Sequence, residues 1–199
     1  DTLYTQGKDF TKQGIGLWYE FTEPSEIGLF LHKTKIRAEA DYISTNYSKE
    51  NASVIQNNFL FSAERNFHIA GNNYLNLRGE TALLNSKNEF VANELLRFGG
   101  WNSFRGFNEN SIYADLYYYT TAEYRYLVGE QAFFDVFGQY GEFNNKSLQL
   151  KPKIYSFGLG FNFVLPIGLM SFQISNGSEF GNPIKFADTK IHWGILSRF

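Results

Sequence analysis

The chain has 199 residues, a formal net charge of −2 and no cysteine. The near-neutral balance argues against a nucleic-acid partner, which calls for a basic stripe, and the missing cysteines remove disulfide frameworks and thiolate metal sites. A mean hydropathy of −0.32 and an apolar run at 161–170 that Pro166 and Gly168 interrupt rule out a spanning helix, which needs roughly 18 consecutive apolar residues. A membrane β-barrel survives this test, because its strands alternate apolar and polar residues and average to a mild hydropathy. The chain opens on Asp1 without an initiator Met or a charged-then-apolar leader, which is the expectation for a mature or cut sequence.

Period-two alternation dominates from the start. Strands are expected near 12–21 and 26–40, followed by a polar connection at 43–52, then near 55–68 and 73–85 about the turn Gly71-Asn72-Asn73. The longest polar interruption, 87–111, contains Arg105-Gly106-Phe107. A strand over 112–126 follows, with Ala114, Leu116, Tyr118, Ala122 and Tyr124 on one face and Asp115, Tyr117, Glu123 and Arg125 on the other. After the turn Gly129-Glu130, the segment 131–140 sets Phe134, Val136 and Tyr140 against Gln131, Asp135 and Gln139.

A polar connection at 142–150 leads to 153–165, where Tyr155, Phe157, Leu159, Phe161, Phe163 and Leu165 face one way and Ser156, Gly158, Gly160 and Asn162 the other. Pro166-Ile167-Gly168 turns the chain, 176–187 forms another polar connection, and the last strand alternates Ile191, Trp193 and Ile195 with Lys190, His192 and Gly194. Short turns that alternate with long loops, and strands of ten to fourteen residues where soluble sheets have about five or six, suit an up-and-down membrane barrel. Alternation alone leaves a soluble sandwich or a lipocalin-like fold open. Neither a helix nor a repeat longer than the strand period is expected.

Two segments carry a resemblance. The ending HWGILSRF, with polar His192, Gly194 and aromatic Phe199, resembles the β-signal of bacterial outer-membrane proteins, with Ser197 departing where that pattern has a hydrophobic residue. NSFRGFNENS resembles the Arg-Gly-aromatic loop of the superfamily containing BamA, TamA and the two-partner-secretion transporters. The following TTAEYRYLVGEQAFFDVFG and FGLGFNFVLPIG resemble later strands of that family, and the likeness covers about 94–199.

The resemblance implies an all-β fold, an antiparallel transmembrane β-barrel in the bacterial outer membrane. The chain is then one barrel domain over 1–199, the carboxyl-terminal half (about nine or ten strands) of a sixteen-strand barrel, with POTRA domains absent. The loop 87–111 is implied to fold inward, its arginine meeting a lumenal carboxylate: Asp135 first, with Glu123 and Asp115 as substitutes. In the family the partner sits in an aromatic-x-Asp-x-Gly segment, and here the glycine, Gly138, comes one place late.

The implied function is insertion or translocation of other proteins across the outer membrane, with no chemical reaction and no cofactor. The implied partners are the lipid bilayer and lipopolysaccharide, client outer-membrane or secreted polypeptides, and periplasmic or lipoprotein accessory subunits. Two alternatives stand beside it: a small outer-membrane pore or adhesin barrel, and an outer-membrane lipid-acting enzyme. For the enzyme the sequence offers little, since His32, His68 and His192 show no metal-ligand spacing and no Gly-x-Ser-x-Gly elbow is present.

Overall fold

The computed structural model describes residues 10–47, 52–86 and 94–196. Their architecture is all-β. Nine strands form one antiparallel sheet in the order β1-β2-β3-β4-β7-β8-β9-β10-β11, and β5 and β6 form a separate two-stranded sheet. In chain order these are β1 (Phe10–Glu23), β2 (Thr34–Tyr47), β3 (Ala52–Ala70), β4 (Asn73–Ser86), β5 (Leu96–Phe98), β6 (Ile112–Ala114), β7 (Leu116–Val128), β8 (Ala132–Asn144), β9 (Lys153–Leu165), β10 (Gly168–Glu179) and β11 (Lys190–Leu196). The described residues contain no α-helix, only single 3-10 turns at Lys146–Leu148 and Phe186–Asp188.

The alternation seen in sequence becomes a two-faced wall, and its sense is inverted relative to a soluble protein. On β9 the polar and small residues are covered (Ser156 3% and Asn162 4% exposed), while Phe157 and Leu159 stand 47% and 58% exposed. On β8 Asp135 and Gln139 are buried, and Phe134 and Val136 lie outside. The face carrying the buried polar groups is called inner here. Some of these polar groups bond to the segments that fold over this face: Gln56 to Glu94, Gln139 to the backbone at Ser103 and Arg105, and Asn66 to the His32 carbonyl.

All short turns (between β3 and β4, β7 and β8, β9 and β10) fall at one end of the sheet, and so does the β1–β2 connection. The β2–β3, β4–β7, β8–β9 and β10–β11 connections fall at the other end. Because each neighbouring pair is antiparallel, the outermost strands β1 and β11 run in the same direction. No pairing joins them among the described residues. Joining them directly would need a parallel ladder.

Two departures from the expected elements shape the inner face, besides β2 running on to Tyr47, into the expected connection 43–52, and β5 lying inside the expected loop 87–111. The segment expected as a strand over 26–40 becomes one only from Thr34. Its first part instead turns inward, burying Leu29 and Phe30 against Leu127, Phe133 and Leu169. The strand expected over 112–126 breaks at Asp115, whose backbone carbonyl accepts from Leu84 N at 2.7 Å and whose N–H donates to Asn144 O at 2.9 Å. Residues before the break, β6, pair with β5, while those after it join the main sheet. Elsewhere β9 coincides with the expected 153–165.

Candidate functional site

The inner face is organised around the loop 94–111, which enters from the long-connection end. β5 and β6 make its base, and an aromatic cluster fixes it to the sheet: Phe98 stacks on Tyr117 at 4.3 Å, and Phe104 meets Tyr119 edge-on at 5.7 Å. Phe104 is fully buried, over Gly141, where a Cβ would come within 3.2 Å of its ring. Gln139 then clamps the backbone on both sides of Phe104. Its Oε1 accepts from Arg105 N at 2.7 Å, and its Nε2 donates to Ser103 O at 3.0 Å and Thr121 Oγ1 at 2.8 Å.

Arg105 lies against the wall formed by β7 and β8. Its guanidinium carbon is 3.4 Å from the centre of the Phe137 ring, and Nη2 is 2.8 Å from Glu123 Oε2. The two side chains are only 8% and 7% exposed, so this is a desolvated charge pair with a cation–π contact at its back. Glu123 serves a second cation: its Oε1 is 2.6 Å from Arg125 Nε. Arg125 also donates to Asn66 Oδ1 at 2.7 Å and lies over the rings of Phe30 (5.1 Å) and Phe133 (5.5 Å).

The direct ion pair of Arg105 is therefore with Glu123 and not with the first-choice Asp135. The register gives the reason. Glu123 is the cross-strand partner of Phe137, on which Arg105 stacks, whereas Asp135 sits opposite Arg125, one inward position nearer the short turns. Asp135 accepts from Asn162 Nδ2 at 2.5 Å and stays within the same buried cluster. Asp115, the other substitute, is remote from Arg105. Its carboxylate holds the loop base, accepting from Asn144 Nδ2 at 2.9 Å and Lys146 N at 2.6 Å.

Gly106 has φ +87°, a conformation that costs other residues roughly 1–2 kcal/mol. A Cβ there would also lie 2.8 Å from the Asn176 backbone of β10. Phe107 follows by covering Gly177. At the sheet edge, Trp101 packs against Gly194 of β11, so closely that a Cβ on Gly194 would overlap the indole ring. The glycine and the arginine loop, read separately from sequence, thus touch each other. His192 lies opposite Gln173 of β10, on the same inner face as Gly194. Phe199 and Ser197 fall outside the described residues.

Gln139, Phe137 and Trp101 belong to the site without a sequence motif to announce them. Gln139 shares the polar face of its strand with Asp135, which is the one signal that could have found it. The arrangement of the loop is that of an anchor, tied by charge, aromatic stacking and backbone hydrogen bonds to β7, β8, β10 and β11. No protein-family model matches the chain, and a search of the curated proteins finds no match either.

Proposed function

We propose that the chain is the carboxyl-terminal part of an outer-membrane β-barrel that inserts other proteins into the membrane or passes them across it. The observation that carries the reading is the buried Arg105–Glu123 pair at the tip of an inward-folded Arg-Gly-Phe loop, set on a sheet whose apolar face is outermost. This is the arrangement that the resemblance to the BamA-containing superfamily implies, with Glu123 in the role of the lumenal carboxylate.

Three features support a membrane setting. Every outward residue of β9 from Tyr155 to Leu165 is apolar or aromatic. Ten residue steps cover roughly 33 Å along a strand. Tilted by 35–45° they give a height of about 23–27 Å, close to the ~25 Å apolar band of such barrels. Toward the short-turn end, a cross-strand row of aromatics runs Tyr126, Phe134, Phe161, Phe172 and Trp193 without a break, as in an aromatic girdle. The buried inner face, finally, carries many polar and charged groups among its aromatics.

Strand parity supports an incomplete barrel. With β1 and β11 codirectional, an all-antiparallel closure needs an odd number of further strands. Sixteen less the nine present leaves seven, which is odd. A second copy of the chain inserted in the same direction would meet β11 with β1 in parallel, so upstream strands of a longer chain are the better completion. The outer edge of β11, which no strand covers among the described residues and whose inner edge is paired over only seven residues, then offers backbone groups that a client strand can join by strand addition.

The test is delivery of a small outer-membrane client barrel into proteoliposomes containing the protein. Arg105→Ala is expected to reduce delivery severely, while substitutions of His68 and exposed serines leave it unchanged. Wild-type delivery by Arg105→Ala would remove the assembly reading in favour of a passive pore or adhesin.

A further inference from the structure

We propose that the inward β1–β2 connection, 24–33, and the inner loop, 94–111, are two halves of one closure, coupled through Glu123, so that loosening either half loosens the other. The two segments enter from opposite ends of the sheet, and a cavity of about 180 Å³ separates them, lined from one side by Phe30 and His32 and from the other by Trp101 and Arg105. The coupling runs through the wall between them.

The connection 24–33 is built as a plug rather than a turn. Phe30 packs edge-on against Tyr74 at 5.1 Å and Phe133 at 5.6 Å, and Leu29 is 1% exposed. The His32 carbonyl accepts from Asn66 Nδ2 at 2.8 Å, and the His32 ring lies 3.2 Å from Glu64. Short turns elsewhere at this end, such as the one at Gly71, carry no such inward apolar load.

One relay of contacts then joins plug and loop. Arg105 of the loop holds Glu123 Oε2, and Arg125 holds Oε1 of the same carboxylate. Arg125 in turn covers the Phe30 ring and donates to Asn66, the residue that grips the His32 carbonyl. If the plug withdraws, Arg125 loses an aromatic face and the orientation of Asn66, and it is Arg125 that fixes the rotamer in which Glu123 reaches Arg105. If the loop withdraws, Glu123 loses one of its two cations and is free to turn toward Arg125, away from that rotamer. Coupling of this kind is reciprocal by thermodynamic necessity. The closure is independent of any client, and a passive pore would carry it equally.

The experiment is amide hydrogen exchange on the full chain in lipid vesicles, read in 25–33 and 99–107, with β9 as the folding control. Phe30→Ala and Arg105→Ala are each expected to raise exchange in both segments by a similar factor, about tenfold within the 5–150-fold range of typical couplings. In an Arg125→Met background, Phe30→Ala is expected to leave the loop unchanged. Acceleration confined to the mutated segment would overturn the proposal. Where an alanine variant also exposes β9, Phe30→Leu and Arg105→Lys replace the pair. Exposure of β9 in those as well would overturn the proposal too, because the contacts would then support the whole sheet and not a coupled closure.

Discussion

Glu123 and Arg105 differ in what each leaves behind when removed, and this difference can be measured. Glu123 is the buried partner of two guanidinium groups, at 2.8 Å and 2.6 Å. Glu123→Gln keeps the volume but leaves Arg105 with no carboxylate partner among the described residues. Breaking a buried pair from one side costs about 3–5 kcal/mol, and Glu123→Gln belongs at the upper part of that span. Arg105→Met removes one charge-assisted hydrogen bond, worth about 1.5–3 kcal/mol, while Arg125 still neutralises Glu123. The methionine recovers part of the packing on Phe137, so its cost is expected near 2–3 kcal/mol. Urea unfolding in lipid vesicles, followed by tryptophan emission and by heat-modifiable gel migration, gives both values. In the double variant the costs are expected to fall short of their sum by at least about 1 kcal/mol, as residues in one network do. An Arg105→Met cost equal to or above that of Glu123→Gln, or strict additivity, would refute the shared-carboxylate account.

Three further outcomes follow from the same contacts. Gln139→Leu leaves Arg105 N and Ser103 O without their partners and is expected to cost about 2–3 kcal/mol, with faster proteolysis within 99–107 than in the wild type. Gly194→Ala is expected to push Trp101 off β11, seen as a red shift of its emission in a chain whose Trp18 and Trp193 are phenylalanine; an unshifted spectrum would contradict the contact. Leu159→Arg, on the outward face of β9, is expected to lose about 2–4 kcal/mol in vesicles if that face meets lipid. An unchanged folding yield there would point to a water-facing wall.

Alternation made most of the sheet legible in sequence, because a strand with one greasy and one small polar face can turn only one set of side chains to each side. That excludes one-residue slips but does not choose among even ones. β9 shows this best. Its direction was not legible: Phe157 outside and Ser156 inside is the reverse of a soluble core, and the same pattern serves both. The plug at 24–33 was misread for a related reason. Ile27, Leu29 and Leu31 alternate like a strand, yet Pro24 and Gly28 break the chain there, and three apolar residues are too few for a period to distinguish strand from inward turn. Asp135 drew attention through its segment, but the choice of carboxylate was decided by which residue lies across from Phe137, a matter of register between β7 and β8. The contact of Trp101 with Gly194 joins distant parts of the chain and leaves no local trace.

The inner loop precedes in sequence every strand that Arg105, Gly106 and Trp101 touch. Its contacts with them lengthen in step: Arg105 to Glu123 on β7, Arg105 N to Gln139 on β8, Gly106 to Asn176 on β10, and last Trp101 to Gly194 on β11. Each doubling of the loop to be closed costs only about 0.6 kcal/mol more, so the later strands can be laid on one after another once the first contact is made. A single anchored loop can therefore hold four strands of the sheet, out to an edge with no further strand beyond it among the described residues, at little added entropic cost.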